Sequence, residues 1–175
     1  MSENVFVFHK MTTSMWDKYN RNSKGWSHDP IAVVHPRIYL GSALGVNLDL
    51  FRKHKITHVI NCATKEYTVD WFKRAFPGRY ACMDAEDDLE FDITSVYRDF
   101  ESIMNQYLAD PECRSIYVHC QCGINRSAFL LLIYMCVKFQ YSLESVVKNV
   151  LLQRPCCFRN PSFRKQVEEY IKKLE

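Results

Sequence analysis

Ile116-Tyr-Val-His-Cys-Gln-Cys-Gly-Ile-Asn-Arg-Ser127, continued by the apolar run to Phe139, is the stretch whose reading decides the fold. Ile116 to His119 is a short apolar segment with the character of a buried strand. Cys120 to Asn125 then reads as a loop. Ser127 to Phe139 is apolar on nearly every side, which predicts a helix in the centre of the domain. A strand that passes through a tight loop into a buried helix implies a sheet covered by helices.

The same alternation extends outward from this stretch. Toward the N-terminus, Arg37 to Leu40 reads as a strand ended by Gly41, and Leu48 to His54 as a short helix. Thr57 to Asn61 is a β-branched strand, Val69 to Ala75 a helix stopped by Pro77-Gly78, and Arg79 to Met83 another strand. Asp92 is a good N-cap for the clearest helix. Ile93, Val96, Tyr97, Phe100, Ile103, Met104, Tyr107 and Leu108 form its apolar stripe, and Asp110-Pro111 ends it. Toward the C-terminus, Ser142 caps a helix running to Arg154. Asn160 and Pro161 open the last helix, up to Leu174. The expected architecture is α/β: a single domain over residues 31–175, with a central mixed sheet flanked by helices. Residues 1–30 read as a separate arm, polar and irregular at Asn20, Asn22, Ser23, Gly25 and Pro30. A short helix is expected in it near Thr13 to Asn20, on Met15, Trp16 and Tyr19.

Composition excludes several classes. The chain has 175 residues, 47% hydrophobic and 25% charged, which suits one globular core rather than disorder. Its formal charge of +3 is too small for a nucleic-acid coat but permits a local anion site. The longest apolar run, Ala128 to Val137, is roughly half of the about 20 residues a membrane helix needs. Met1 to Lys10 lacks the basic start and long apolar core of a secretory signal, so a cytoplasmic, reducing setting is expected. The eight cysteines are then not a disulfide framework. Cys120-x-Cys122 and Cys156-Cys157 do not make paired C-x-x-C knuckles, so no zinc site is expected.

The loop from Cys120 to Arg126 has the composition of an oxyanion cradle. Backbone N–H groups can converge on one point, and the following helix adds its positive dipole end. Gly123 permits a turn that a side chain would obstruct. Arg126 can clamp two oxygens of a phosphate in a fork. Cys120 at the base sits in a field that favours a thiolate, with a pKa expected between roughly 3.5 and 7.5. Such a thiolate facing phosphorus is placed for in-line attack. Gln121, Cys122, Gly123, Ile124 and Asn125 are the candidate substrate-binding residues. Ser127 can donate a hydrogen bond to the sulfur, and His119 can orient the loop. Asn125 is read either as a brace of the loop or as exposed.

His119-Cys120-x-x-Gly123-x-x-Arg126-Ser127 resembles the signature of the protein tyrosine phosphatase superfamily, and the short chain looks like a compact dual-specificity phosphatase. Ile38-Tyr-Leu-Gly-Ser42 and Ile56-Thr-His-Val-Ile-Asn-Cys62 are similar to that family's opening strands. The loop Gly-Ile-Asn-Arg-Ser and the segment Asn160-Pro-Ser-Phe163 look most like the poxvirus-type members. Arg154-Pro155 and Asn160 resemble a distal family segment in which Arg159 stands where proline is usual. The resemblance implies hydrolysis of phosphotyrosine and phosphoserine or phosphothreonine in proteins through a cysteinyl-phosphate, without a cofactor or metal. It also implies a general acid on the acidic run Asp84-Ala-Glu-Asp-Asp88. Matching Asp92-Ile93 to the family's helix start selects Asp87, with Asp84 and Asp88 as alternatives. The rate is then expected to be bell-shaped in pH and to peak on the acidic side. The arm is read as packing either on its own domain or on a second copy, and by analogy with the poxvirus-type members a homodimer through it is expected.

Two other functions compete with this reading. A 5′-triphosphatase acting on RNA would want a basic rim, and the loop's variable residues Gln121, Cys122, Ile124 and Asn125 are uncharged. A phosphoprotein-binding module without turnover would not need both Cys120 and Arg126. Cys62 and Cys122 are candidate partners for an oxidised Cys120, against the plainer reading that both are packing cysteines.

Overall fold

The computed structural model describes Trp16, Asp17 and residues 29–174. The elements are β1 (Ala32–His35), β2 (Ile38–Ser42), α1 (Leu48–His54), β3 (Ile56–Asn61), α2 (Asp70–Ala75), β4 (Tyr80–Cys82), α3 (Tyr97–Ala109), β5 (Ser115–Cys120), α4 (Arg126–Phe139), α5 (Leu143–Gln153) and α6 (Pro161–Lys172). Short 3₁₀ turns lie at Lys65–Tyr67 and Ile93–Val96. The strands form one sheet in the order β1-β2-β5-β3-β4. β2, β5, β3 and β4 are mutually parallel, and β1 is antiparallel to β2. The sheet is therefore mixed, as expected.

Two differences from the sequence reading have simple causes. The sequence places the first strand at Arg37 to Leu40, yet Ala32–His35 is also a strand. Pro36 and Arg37 form the turn of a hairpin, where proline's fixed φ suits the first corner. The helix expected directly after Asp92 begins instead as the 3₁₀ turn. Asp92 caps that turn by accepting from Thr94 N at 2.9 Å, while Ile93 N donates to Gln166 Oε1 at 2.8 Å. A tertiary partner for the first N–H frees the entry from α-helical pairing.

Period-2 alternation on β5 assigns its side chains to two layers. Ile116, Val118 and Cys120 join Ile38, Leu40 and Ile60 in the core under α3 to α6. Tyr117 faces the other layer with Phe51 of α1 and Phe72 of α2. Every residue of α4 from Arg126 to Cys136 is buried, so this helix is the axle of the larger core. It follows β5 after only five residues, which fixes the loop between them on both sides. The outer edge of β1 is closed rather than open. Val33 N donates to Gln153 Oε1 at 2.8 Å, and Val33 O accepts from Gln153 Nε2 at 3.0 Å and Asn149 Nδ2 at 3.3 Å.

The helix expected at Thr13 to Asn20 lies outside the described residues apart from Trp16 and Asp17. Trp16 is buried in its own chain's core, with ring centroids 6.0 Å from Phe129 and 5.7 Å from Phe158. Its indole N–H donates to Glu168 at 2.9 Å, and the Arg164 guanidinium lies 5.3 Å from the ring. Burying an aromatic ring of this size stabilises by on the order of 3 kcal/mol.

Candidate active site

The loop from Cys120 to Asn125 is gripped from behind at every carbonyl. Ala43 N donates to Cys120 O and Gln121 O, both at 3.0 Å. Arg154 donates through Nη2 to Cys122 O at 2.8 Å and through Nε to Gly123 O at 3.2 Å. Phe158 N donates to Ile124 O at 2.8 Å. A trans peptide points its N–H opposite to its C=O. Five carbonyls held outward therefore turn the N–H groups of Gln121, Cys122, Gly123, Ile124 and Asn125 to the other side. None of those five N–H groups has a partner among the described residues. Together they make a concavity lined with hydrogen-bond donors, suited to an oxyanion.

Two glycines make this geometry sterically feasible. Gly123 has φ +63°, and a Cβ on it would stand 2.2 Å from Gly41 O. Gly41 in turn lies against Tyr117, where a Cβ would meet the hydroxyl oxygen at 2.1 Å. The Tyr117 hydroxyl donates to Ser42 O at 2.8 Å, locking β2 beside the loop.

Cys120 ends β5 with only 2% of its surface exposed. Ser127 Oγ lies 3.3 Å from its sulfur and donates to it. Arg126, the first residue of α4, is also buried. Its Nη1 donates to Ala85 O at 3.0 Å, and its Nε–H has no partner among the described residues. A buried guanidinium with an unused donor, on the residue that directly follows a loop of unpaired N–H groups, is suited to take an anion. His119 points to the opposite layer of β5 from the Cys120 thiol. Burial lowers its pKa to about 4. It is therefore neutral, and its Nδ1 lies 3.1 Å from Cys120 O. A proton on Nδ1 leaves Nε2 as a bare acceptor, buried and unpartnered among the described residues. The contact fits a loop-orienting role and gives His119 no path to a reacting atom.

The three candidate carboxylates separate cleanly. Asp88 Oδ1 accepts from Glu90 N at 2.9 Å and Phe91 N at 2.7 Å, and so caps the turn of its own loop. Asp84 is exposed in a left-handed conformation with φ 54°. Asp87 alone of the three has its carboxylate against the loop. It accepts from Asn125 Nδ2 at 3.0 and 3.3 Å and from Asn160 Nδ2 at 3.1 Å.

Asn125 is thereby resolved as a brace rather than an exposed side chain. Its Oδ1 accepts from Arg159 N at 2.8 Å and Asn160 N at 3.0 Å, so one amide joins three segments. That side chain turns to Asp87, which leaves only its backbone N–H for the concavity. Asn160 is equally economical. Its Oδ1 caps α6 by accepting from Ser162 N and Phe163 N, while its Nδ2 holds Asp87 and Asp88 O. In the sequence Asn160 reads as a helix cap and as part of the family-like distal segment, and its hold on Asp87 has no local signal. Arg159 bends back on its own segment, with Nε 3.4 Å from Cys156 O. Cys62 is fully buried beside β5, its N–H donating to His119 O at 2.7 Å, and burial followed by the neighbouring Cys120 pushes its thiol pKa up. Cys122 is exposed.

Residues 38–173 match the family model described as the dual specificity phosphatase catalytic domain. The chain belongs to this family. Slingshot homolog 3 of Homo sapiens, a protein phosphatase, is 26% identical over 81% of this dual specificity phosphatase domain, which covers 21% of that protein's length. The mouse dual specificity protein phosphatase 13B is 29% identical over 77% of the chain and 69% of its own length. The crystal structure of human DUSP28 superposes with a TM-score of 0.70 at 22% identity, covering 83% of this chain and 95% of that one. That likeness shows the same phosphatase fold: a single α/β domain with a mixed sheet between helices. The chain thus spans about a fifth of the first of these relatives and about two thirds of the second.

Proposed function

We propose that this dual specificity phosphatase domain hydrolyses phosphotyrosine and phosphoserine or phosphothreonine in proteins, with Cys120 as nucleophile, Arg126 as phosphate clamp and Asp87 as general acid. The observation that carries the reading is the donor-lined concavity between the Cys120 thiol and the Arg126 guanidinium. Five backbone N–H groups and the fork of Arg126 match the oxygens of a phosphoryl group and the charge they gain in the transition state. The sulfur attacks phosphorus, the bond from phosphorus to the leaving oxygen breaks, and Asp87 gives that oxygen its proton. Water then attacks the cysteinyl-phosphate. Asp87 takes the water's proton, and the sulfur leaves with the Ser127 hydroxyl donating to it.

The test is release of phosphate from phosphotyrosyl and phosphothreonyl peptides by the purified chain in EDTA. Release from neither overturns the proposal. Asp87 has its own signature. Asp87→Asn is expected to slow phenyl phosphate turnover by about 10²-fold or more, and to slow an activated aryl phosphate much less, because only the poor leaving group needs its proton. Equal losses on both substrates would move the acid elsewhere.

The poxvirus-type look of the chain rests on Gly123-Ile-Asn-Arg-Ser127 and on Asn160 to Phe163. Homodimerisation through residues 1–30 is proposed on the analogy with those members alone. Sedimentation of the full chain at increasing concentration is expected to reach twice the single-chain mass. A constant single-chain mass overturns it.

A further inference from the structure

Behind the cradle, on the side away from the Cys120 sulfur, lies a carboxylate outside the family-matched residues 38–173. Asp29 Oδ1 accepts from Arg154 Nη1 at 2.7 Å, and Asp29 Oδ2 accepts from the Ser42 hydroxyl. Arg154 is only 1% exposed. Its remaining donors go to neutral acceptors: Cys122 O, Gly123 O and Pro30 O. Asp29 is therefore the single carboxylate paired with this buried charge among the described residues. Ser42 adjoins Ala43, whose N–H holds the other two rear carbonyls, Cys120 O and Gln121 O. The same Ser42 hydroxyl accepts from Gly45 N at 2.9 Å. One carboxylate thus ties together both groups that turn four of the five cradle carbonyls outward.

We infer that Asp29 is a positioning residue for phosphate binding, acting through Arg154 and Ser42 on the orientation of the cradle N–H groups. The physical reason is the cost of a buried, uncompensated charge. Without Asp29, Arg154 gains by moving toward water. The peptides between Cys122 and Ile124 then lose the partner that fixes their N–H direction. Asp29 bonds groups that hold the loop by its carbonyls, opposite to the N–H side that faces the anion. Its effect falls on anion binding rather than on the chemistry of Cys120, Arg126 or Asp87. The inference rests on the reading of the loop as a phosphate cradle. Part of the binding apparatus then lies upstream of the family-matched residues 38–173.

The test compares the full chain with Asp29→Asn, which keeps the shape and removes the charge. KM for an aryl phosphate and the inhibition constant of inorganic phosphate are expected to rise about tenfold, with kcat changed by less than about threefold, the pattern of lost uniform binding. Alkylation of Cys120, read by peptide mass mapping, supplies a measure independent of turnover. The rate with anionic iodoacetate relative to neutral iodoacetamide is expected to fall by about the same factor, because only the first reagent uses the anion site. Ser42→Ala removes one of the two ties and is expected to shift the same three quantities by about threefold in the same direction. It decides the matter if Asp29→Asn does not fold. Unchanged phosphate inhibition and an unchanged alkylation ratio overturn the inference, even where the melting temperature falls, since that leaves Asp29 a stability role alone. Should the chain turn over no phosphate ester, the alkylation ratio still tests Asp29 while the proposed activity fails separately.

Discussion

Cys120→Ser is expected to lower aryl phosphate turnover by on the order of 10⁴-fold or more, to background, while the unaltered chain turns over in EDTA. Serine retains the shape of the site and the neighbouring Ser127, but its hydroxyl stays protonated where a thiol ionises. The cradle and Arg126 are untouched by the change, so phosphate still binds. The variant should therefore retain an ordinary inhibition constant for inorganic phosphate, measured as a dissociation constant by calorimetry. Loss of turnover with intact binding isolates the nucleophile. Turnover within tenfold of the unaltered chain would mean that another group attacks phosphorus.

Arg126→Lys is expected to cost about 10³-fold in kcat/KM, with most of the loss in kcat. Lysine keeps the charge, so a site that needed only a cation would lose little. The guanidinium of Arg126 has two tasks that a single ammonium cannot share. Its Nη1 is committed to Ala85 O, which ties it to the loop carrying Asp87. Its other donors, including the unpartnered Nε–H, remain for the anion. Lysine has to leave one of the two. A loss smaller than tenfold would show that the backbone N–H groups carry the charge by themselves and that Arg126 acts mainly as a tether.

The local parts of this fold were legible because local rules govern them. The Ser142 and Asn160-Pro161 caps, the stripe of the helix through Phe100 and Met104, and the buried run after Ser127 all appear where periodicity and capping chemistry put them. The cradle was legible for the same reason, since its strand, loop and helix are continuous in sequence. Tertiary choices were not. Asn125 meets Asp87 across 38 residues, and Arg154 meets Asp29 across 125. No spacing rule encodes either pairing. β1 carries little local signal, because Ala32-Val-Val-His35 is four residues long and its turn carries Pro-Arg instead of a glycine. Among Asp84, Asp87 and Asp88 the sequence favours Asp87 only through the match of Asp92-Ile93 to the family's helix start, and the different partners of the three carboxylates appear only in the fold.

The closed rim of β1 also constrains how one copy of this chain can meet another. An unpaired sheet edge is a template for a foreign strand. At Val33 the template is already occupied, since Gln153 and Asn149 satisfy both the amide and the carbonyl. A second chain adding itself there would have to break those bonds before making any of its own. That side of the molecule is guarded against fibre-like growth, and α5, by supplying the guard, protects solubility as well as covering the core.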